Sequence, residues 1–406
     1  MKILQVVPYF PPAYAFGGPV KVVYKISREL AKRGHEINVY TTDAKDLNTR
    51  LDPSSGKPID GLKDDGVKVC FFRNLTMISV KKFKLFITPE IILRMKEEAK
   101  VFDIIHLHEY RTFQNIVTAH YARRYDVPYL LQAHGSIPRI GSWRKLKWIY
   151  DVFIGHALLR DASKVIALSR VEAEQYRSMG VPDEKIAIIP NGIDLSEYIN
   201  LPPRGAFKTK FGIPEDKKII LYLGRIHRIK GIDILIKAYA HLRKEMGCKD
   251  AVLVIAGPDD GYLNEAKALA DSLRVSDSLM FVGPLYGRDK LAAYVDSDLC
   301  VLPPRYETFP MALLEVYACS KPIVASSVGG LRELIMDGEA GLLFEAGNFK
   351  QLAEKILFLL NDGDKAVELG RKGRILVEEK YSIDKIVDEL EELYMELLNA
   401  EPPSSI

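Results

Sequence analysis

Short apolar runs alternate with amphipathic stretches along almost the whole chain. In the first half, six runs have the length and composition of buried β-strands: 2–7, 37–42, 103–108, 128–133, 164–169 and 185–190. Six more follow in the second half: 217–225, 251–257, 279–283, 299–303, 321–326 and 341–345. Buried strands separated by helical patterns are typical of parallel sheets with helices on both faces. The pattern therefore predicts an α/β fold.

The amphipathic stretches carry apolar residues three and four positions apart, as helices do. The stretch after the first strand ends at Gly34 and has such residues at Val20, Val23, Ile26 and Leu30. Residues 384–400 are strongly periodic and predict a long C-terminal helix. Residues 60–87 are irregular and basic in part, and no element is assigned to them.

The two series of strands indicate two domains. A chain of 406 residues exceeds one usual hydrophobic core. Residues 200–216, which lie between the series, are rich in proline, glycine and charge, as linkers often are. We predict a first domain of residues 1–198 and a second of residues 199–383, with the helix of about 384–400 packing back on the first.

The composition, with 48% apolar and 27% charged residues, is that of an ordinary globular protein. No apolar run approaches the ~18 residues of a membrane span, and the apolar start of the chain lacks the cleavage site of a signal peptide. The four cysteines are scattered, which argues against a zinc site or a disulfide framework and suits a reducing compartment. We therefore expect a cytoplasmic protein.

The net charge of +3 is unevenly distributed. Residues 1–200 hold 30 lysines and arginines against 22 aspartates and glutamates, whereas the remainder holds 27 against 32. A basic half can attract a phosphorylated substrate or an anionic membrane, although plain solvation is the commoner role of such charges. The basic residues form no compact stripe interleaved with aromatic residues, so nucleic-acid binding is not predicted.

Two carboxylates, Glu307 and Glu315, stand eight positions apart after the strand predicted to end near residue 302. Glu307 lies in the loop that leaves this strand, and Pro310 suits the first turn of a helix that carries Glu315. A carboxylate at a strand's C-terminal end, beside a helix N-terminus, is placed to bind ligand hydroxyls near a phosphate. For two isolated acids, a solvated surface position would be the simpler interpretation.

Two loops have the chemistry of phosphate sites. Gly17 and Gly18 follow the first strand, where they let the backbone approach a ligand beside a helix N-terminus. Arg225 and Lys230 lie between a strand and a helix, where two cations can clamp a diphosphate. The ordinary alternatives are a simple turn and a solvated surface loop.

Three histidines lie near the carboxyl ends of predicted strands. His134 follows the strand 128–133, at the edge where open α/β sheets bind ligands, although a lone histidine is more often structural. His106 and His108 share one side of a strand, but two ligands without a third do not predict a metal site.

Two acidic pairs are interpreted as structural. Asp296 and Asp298 form the Asp-x-Asp of metal-dependent sugar transferases, but here the pair precedes a strand instead of following one. We interpret it as a loop entering the sheet. Asp259 and Asp260 have the composition of a turn. No metal site is predicted.

These motifs occur in a specific order. The Gly-Gly loop is followed by His-Gly after a middle strand, and then by IIPNGID, GR…KG, PPRYETFPMALLEVYA and SVGGLRELI. Over nearly its full length the chain resembles the retaining glycosyltransferases of family 4, most specifically in the two spaced glutamates and the GR…KG loop. The resemblance implies the GT-B fold, in which two Rossmann-like, doubly wound parallel-sheet domains face each other across a cleft.

The resemblance implies a nucleotide-sugar donor, UDP- or GDP-linked, whose diphosphate is bound by cationic side chains and by backbone. Arg225 and Lys230 would bind it, aided by the backbone at Gly17 and Gly18.

The resemblance assigns the two sugars of the donor to other matching positions. Glu307 would hold hydroxyls of the transferred sugar, with Thr308, Phe309 and the adjacent backbone closing around it. Glu315 would take the ribose hydroxyls, and His134 would contact the transferred sugar near the reacting centre.

Two positions depart from the family's pattern. Pro310 stands where glycine is frequent. Residues 316–320, Val-Tyr-Ala-Cys-Ser, replace the usual Ala-Met-Ala-x-Gly near the nucleotide, which bears on the choice of base.

The implied enzyme moves a hexose with retention to a glycan or lipid-linked acceptor in polysaccharide biosynthesis, with no cofactor and no metal. In the front-side attack proposed for the family, the departing phosphate oxygen accepts the acceptor's proton, so neither glutamate acts as a general acid. The basic and aromatic residues 139–160 lie where the family often places acceptor-side structure. They predict peripheral contact with a membrane or a lipid-linked acceptor, and the alternative is a buried helix with a charged outer face.

Other functions on the same fold are a sugar-nucleotide epimerase and a non-catalytic nucleotide-sugar-binding subunit. An epimerase would convert a nucleotide sugar with no acceptor present, and a binding subunit would bind it without turnover. A phosphorylase is not predicted, because nothing marks the lysine that would hold pyridoxal phosphate.

Overall fold

The computed structural model describes residues 1–52, 66–83, 85–141 and 143–399. Their contacts divide the chain into two compact units. The first comprises Met1–Gly192 together with the chain from Ile383 onward, and the second comprises Ile193–Ser382. From the sequence we placed the boundaries at 198/199 and 383/384.

The described residues of the first unit contain a seven-stranded parallel sheet. Its strands are β1 (Lys2–Val6), β2 (Glu36–Thr42), β3 (Val67–Phe72), β4 (Ile104–His108), β5 (Tyr129–Gln132), β6 (Lys164–Ala167) and β7 (Ile186–Ile188). Their order across the sheet is β3-β2-β1-β4-β5-β6-β7. The inner strands β4 and β5 are buried along their whole length, as expected for a parallel sheet covered on both faces.

Helices connect these strands. They are α1 (Gly18–Lys32), α2 (Met77–Phe83), α3 (Glu90–Glu98), α4 (Phe113–Arg124), α5 (Arg144–Tyr150), α6 (His156–Asp161) and α7 (Arg170–Ser178), and further helices are numbered below in chain order. A five-residue π-helical segment, Asp151–Gly155, joins α5 to α6. The predicted apolar positions of α1 are all buried.

The second unit contains a six-stranded parallel sheet. Its strands are β8 (Lys218–Leu223), β9 (Ala251–Ala256), β10 (Leu279–Gly283), β11 (Leu299–Leu302), β12 (Ile323–Ser326) and β13 (Leu342–Phe344), in the order β10-β9-β8-β11-β12-β13. Its helices are α8 (Ala206–Phe211), α9 (Ile232–Lys244), α10 (Leu263–Ser272), α11 (Gly287–Asp296), α12 (Met311–Ala318), α13 (Gly329–Gly338), α14 (Phe349–Asn361) and α15 (Gly363–Lys380).

Both sheets have the same kind of switch point. β1 lies between β2 and β4, and β8 lies between β9 and β11, so the strand order reverses beside the first strand of each unit. Open α/β sheets bind ligands at the carboxyl ends of the strands at such a point. The predicted α/β fold, with two Rossmann-like units, is confirmed.

The C-terminal helix α16 (Ile383–Asn399) packs on the first unit. Arg33, at the end of α1, donates to the Glu391 carboxylate at 2.5 Å. The hydroxyl of Tyr394 lies 2.7 Å from Nδ1 of the buried His106. The last residue of the predicted helix, 400, lies outside the described residues.

One strand was missed in the region left unassigned. Within 60–87, β3 and α2 form, whereas residues 60–65 and 84 lie outside the described residues. β3 is at the edge of its sheet and only its last residue is buried. Its sequence, VKVCFF, nevertheless contains five apolar residues of six, so the strand signal was present and was overlooked.

The predicted linker, residues 200–216, belongs to the second unit and contains α8. The carboxylate of Asp296 accepts three backbone N–H groups at the start of α8, at 2.6–3.0 Å. Asp296 is the last residue of α11, not part of a loop as predicted. Asp298 accepts a backbone N–H of β8 at 2.7 Å, so both acids tie elements together.

None of the helices in the described ranges combines the length and the apolar character that crossing a bilayer requires.

Candidate active site

Lys230 and Glu307 form an ion pair at the carboxyl edge of the second sheet. Lys230 ends a short 3-10 helix after β8, and Glu307 lies in the loop after β11. Nζ of Lys230 is 2.5 Å from Oε2 of Glu307, and the two side chains are 22% and 18% exposed. Because β8 and β11 are neighbours at the switch point, the pair lies where this type of sheet binds ligands.

The turn after β8 is pressed against the loop that carries Glu307. Gly231 has a φ of +71°, and a Cβ there would lie 1.8 Å from the carbonyl oxygen of Pro303, so only glycine permits the approach. The backbone N–H of Arg305 donates to the carbonyl of Ile229, which lies in this turn, at 2.8 Å. Its guanidinium binds Asp233 through two hydrogen bonds of 2.7 and 2.6 Å. These contacts fix the position of the loop.

Helix α13 begins against the same loop. Its first residue, Gly329, has a φ of +46°, and a Cβ there would lie 1.9 Å from the carbonyl oxygen of Glu307. Ser326, at the end of β12, donates to the carbonyl of Pro304 at 2.6 Å. The first turn of α13 carries no acidic residue and no side-chain cap. A cation and a helix N-terminus therefore flank the loop, a setting that suits an anionic ligand.

Arg225, the other predicted phosphate-binding cation, lies just after β8 and is paired. Its guanidinium donates to Asp260 at 2.6 Å. Asp259 accepts the N–H groups of three following residues at 2.9–3.1 Å, which confirms the predicted turn. Asp260 lies within this turn, as predicted, and is also the partner of Arg225.

Glu315 lies on α12 and is held by two side chains of α11. Lys290 donates to one carboxylate oxygen at 2.6 Å, and the Tyr294 hydroxyl donates to the other at 2.9 Å. Burial raises the pKa of Tyr294 well above its ordinary value, and the Glu315 charge adds to this effect. Tyr294 therefore keeps its proton and remains a donor.

Thr308 and Phe309 are both buried. The Phe309 ring packs against Tyr381, with 6.1 Å between the centroids, so its side chain is part of the interior of the second unit. Pro310 occupies the capping position before α12, which begins at Met311. The helix therefore starts one residue later than predicted.

Gly17 and Gly18 stand at the start of α1 in the first unit. Gly17 has a φ of +96°, and a Cβ there would meet nothing within 4 Å. The first turn of α1 has neither an acidic residue nor a side-chain cap. The room beside Gly17 and the positive end of the helix dipole suit an anion.

His134 follows β5 in the left-handed conformation, with a φ of +51°. Its Nε2 is 2.9 Å from Nδ1 of His108. The N–H of the next residue, Gly135, donates to the buried carboxylate of Glu172 at 2.6 Å. Burial lowers the pKa of His134 to about 3, so its ring is neutral at physiological pH.

In the described ranges, no three histidines, cysteines, aspartates or glutamates are arranged so that they could hold a metal ion.

Models of known families match both units. The model of Glycosyltransferase Family 4 matches residues 16–197, and that of Glycosyl transferases group 1 matches residues 203–376. Together they span most of the chain. The chain belongs to the group 1 glycosyltransferases of family 4.

This glycosyltransferase is similar to known relatives along nearly its full length. It is 28% identical over 412 residues to an uncharacterized glycosyltransferase of Methanocaldococcus jannaschii, covering 97% of this chain and 98% of the relative. It is 25% identical over 390 residues to the N-acetyl-alpha-D-glucosaminyl L-malate synthase of Bacillus anthracis, covering 94% of each chain.

Solved structures show the same fold. Anabaena HepE in complex with UDP matches with a TM-score of 0.76 and 20% identity, covering 98% of this chain and 100% of HepE. HepE in complex with UDP-glucose matches with a TM-score of 0.75. At this identity the likeness shows the GT-B fold.

The structure brings together some of the glycosyltransferase's predicted site residues and gives others new partners. Lys230 and Glu307 bind each other, whereas Arg225 and Glu315 are bound by residues that sequence reasoning missed. The sequence held one signal for the partners of Glu315. Lys290 and Tyr294 are four positions apart on α11, so they share one face of that helix. The predicted roles of all these residues stay predictions.

Proposed function

We propose that this glycosyltransferase moves a hexose from a UDP- or GDP-linked donor to a glycan or lipid-linked acceptor, with retention at the anomeric carbon. The observation that supports this most is the Lys230–Glu307 pair at the switch point of the second unit, beside the N-terminus of α13. A cation, a carboxylate and a helix N-terminus suit a ligand that carries both phosphate and sugar hydroxyls. HepE, which shares the fold, has been solved with UDP and with UDP-glucose.

The diphosphate would be bound by Lys230 and Arg225. The ammonium group of Lys230 has three N–H donors, and the hydrogen bond to Glu307 uses one of them. Arg225 would add a second cation, with Asp260 holding the guanidinium in place. Fixed cations stabilise the charge that the diphosphate gains as it departs.

The donor's hydroxyl groups would be bound by the two glutamates, Glu307 at the transferred sugar and Glu315 at the ribose. A carboxylate offers about four acceptor sites. Lys290 and Tyr294 each occupy one site of Glu315. These two donors fix the carboxylate in the position from which it would bind the ribose hydroxyls.

The reaction would proceed on one face of the sugar. The acceptor oxygen forms its bond to the anomeric carbon as the bond from that carbon to the phosphate oxygen breaks. The departing phosphate oxygen takes the acceptor's proton, and the nucleoside diphosphate leaves. His134, neutral at physiological pH, would contact the transferred sugar by a hydrogen bond instead of acting as an acid. We propose that no metal is required.

We also propose that the first unit contacts an anionic membrane surface. Seven large apolar side chains between residues 140 and 153 are exposed: Ile140, Trp143, Leu146, Trp148, Ile149, Val152 and Phe153. α5 buries none of its residues and carries three cations, at 144, 145 and 147. Tryptophan beside cations on an exposed apolar helix suits the interface of a bilayer with acidic lipids.

Vesicle sedimentation tests this contact. The protein should bind vesicles that contain acidic lipids, and the double variant Trp148→Ser, Phe153→Ser should bind much less. Phe358→Ser, which removes an exposed aromatic ring from the second unit, is the matched control. Equal binding of the control and the double variant would contradict the proposal.

The enzymatic proposal is tested by mass spectrometry of products from UDP- and GDP-linked hexoses mixed with glycans and a lipid extract. Lys230→Met should lower kcat/KM by about 100-fold, because it removes a charge that stabilises the leaving group. Lys210→Met removes the lysine of an exposed ion pair in the same unit and should change little. If folded Lys230→Met turned over like the control, the assigned role would be wrong.

The same mixture separates the alternatives. A product formed from the donor without any acceptor would indicate an epimerase. Nucleotide-sugar binding by calorimetry without any product would indicate a binding subunit.

A further inference from the structure

Three histidine rings lie in a row beneath the switch point of the first unit. His106 and His108 stack with 4.1 Å between their centroids, and the centroids of His108 and His134 are 5.2 Å apart, with the two rings joined at their edges. His106 and His108 are completely buried. The proposed reaction uses only His134, so the other two rings have no assigned task.

We propose that His108, held by Gln5, is a positioning residue that fixes the proton of His134 on Nε2, so that Nδ1 accepts a hydrogen bond from a hydroxyl of the transferred sugar. The inference rests on the proposed function for the identity of that ligand. The state of the His134 ring itself does not depend on it.

The geometry comes from three adjacent strands. Gln5 lies on β1, His108 ends β4 and His134 follows β5. Nε2 of His108 is 2.6 Å from Oε1 of Gln5, and Nδ1 of His108 is 2.9 Å from Nε2 of His134. His108 is therefore held at both ring nitrogens.

The orientation of the Gln5 amide decides where the protons lie. The structure places Oε1 of Gln5 2.6 Å from Nε2 of His108. The amide nitrogen of Gln5 is buried and has no hydrogen-bond partner within the described residues. The oxygen of this amide therefore faces His108.

The proton positions follow from donor and acceptor chemistry. Oε1 of Gln5 can only accept, so His108 carries its proton on Nε2. Burial and the neighbouring histidines lower the pKa of His108 well below its ordinary value, so the ring is neutral and Nδ1 is an acceptor. The Nε2 of His134 must then donate to it. The remaining nitrogen of His134, Nδ1, is an acceptor.

The acceptor nitrogen of His134 is unpaired in the described part of the chain, and its position is fixed. Nδ1 is buried and has no hydrogen-bond partner within the described residues, so a ligand hydroxyl can reach it only when the groups that cover it move. The backbone of His134 is held in the left-handed region while Glu172 binds the N–H of Gly135. The loop is thus held at its backbone and the ring at Nε2, an arrangement that preorganises Nδ1 for a hydroxyl donor.

The test is the tautomer of His134, measured on the full chain labelled with ¹⁵N-histidine by long-range ¹H–¹⁵N correlation. Comparison with His134→Asn identifies its signals among those of the eight histidines. We expect a protonated Nε2 and a bare Nδ1. A proton on Nδ1, or an even mixture, would overturn the proposal.

The variant His108→Phe keeps a ring but removes the acceptor. It should leave His134 as a mixture of tautomers and lower kcat about tenfold, while KM for the donor changes much less. If His108→Phe does not fold, Gln5→Leu tests the same step. It removes the acceptor that fixes the proton of His108, so His134 should again show a mixture of tautomers and kcat should again fall. Tyr129→Phe, which removes a buried hydroxyl that donates to the carbonyl of Leu158 at 2.7 Å, should change neither readout.

If both His108→Phe and Gln5→Leu kept the native tautomer of His134 and the native kcat, the proposal would be overturned. If no donor gave transfer with the native chain, the proposed function would fail, but the tautomer measurement would still decide the role of His108.

Discussion

Gly329 tests how closely α13 packs against the loop of Glu307. In Gly329→Ala, the new Cβ would lie 1.9 Å from the carbonyl oxygen and 3.1 Å from the carbonyl carbon of Glu307. Both are backbone atoms, so no flexible side chain can move aside. Either the start of α13 or the Glu307 loop must shift.

The expected cost has two parts. The left-handed φ of +46° disfavours any side chain by about 1–2 kcal/mol, and the overlap with backbone adds roughly 1–3 kcal/mol. The variant Gly287→Ala separates the cost of the left-handed φ from the cost of the overlap. Gly287 is likewise the first residue of a helix in the second unit. Its φ is +50°, but a Cβ there would meet nothing within 4 Å. Gly287→Ala should therefore carry only the first cost.

Urea and thermal unfolding measure the difference. Gly329→Ala should lose about 1–3 kcal/mol more than Gly287→Ala, which corresponds to a Tm lower by about 2–12 °C for a unit of this size. UDP binding measured by calorimetry should weaken in Gly329→Ala and change little in the control. Equal losses of stability in the two variants would show that the close approach at Glu307 is not present.

Three further changes test other contacts. Lys290→Met leaves Glu315 without its cation and should lower the free energy of unfolding in urea by about 2 kcal/mol. Lys290→Arg keeps the charge and should lower it less, and equal losses in the two variants would show that the charge is unimportant. Ser320 has a φ of +53° after α12, so Ser320→Gly should raise stability by about 1 kcal/mol in thermal unfolding. Lys237→Gly, at an exposed position inside α9, should lower stability by about as much, and changes of the same sign in the two variants would refute the strain at Ser320. Burial raises the pKa of Glu172 from 4.5 to about 7, so the folded chain retains a proton that the unfolded chain releases, and stability should fall by about 3 kcal/mol as pH rises from 4.5 to 7. Glu172→Gln should flatten this part of the pH profile in urea unfolding, and an unchanged slope would contradict the assignment.

Most of the fold could be predicted because the inner strands carry their own signal. All twelve predicted strands are present, since a parallel strand covered on both faces must be apolar along its length. β3 was overlooked although five of its six residues are apolar, and its position at a sheet edge does not explain this, because the edge strands β7, β10 and β13 were predicted. α8 was also missed, because its six residues lie among prolines and glycines and its N-terminus is capped by Asp296, 88 to 91 positions away.

The types of charged residue at the candidate site could be predicted from the sequence, but the side chains with which they pair could not. The types and order of Arg225, Lys230, Glu307 and Glu315 are visible in the sequence. Their partners depend on distances in space between residues 35, 77 and 25 positions apart. No local period links such positions. The contact between His108 and His134 was missed for the same reason, because it joins two strands and its residues are 26 positions apart.

The pairing also bears on what the two glutamates do. Hydrolases that use two carboxylates need one of them as a proton donor. Here each carboxylate accepts a hydrogen bond from a lysine on another element, Glu307 from Lys230 and Glu315 from Lys290. An oxygen that accepts from an ammonium group has no proton to give, so both side chains are arranged as acceptors. Acceptors fixed beside cations suit a ligand that carries hydroxyls next to phosphates. In the proposed reaction neither glutamate gives a proton, and the departing phosphate takes the proton of the acceptor.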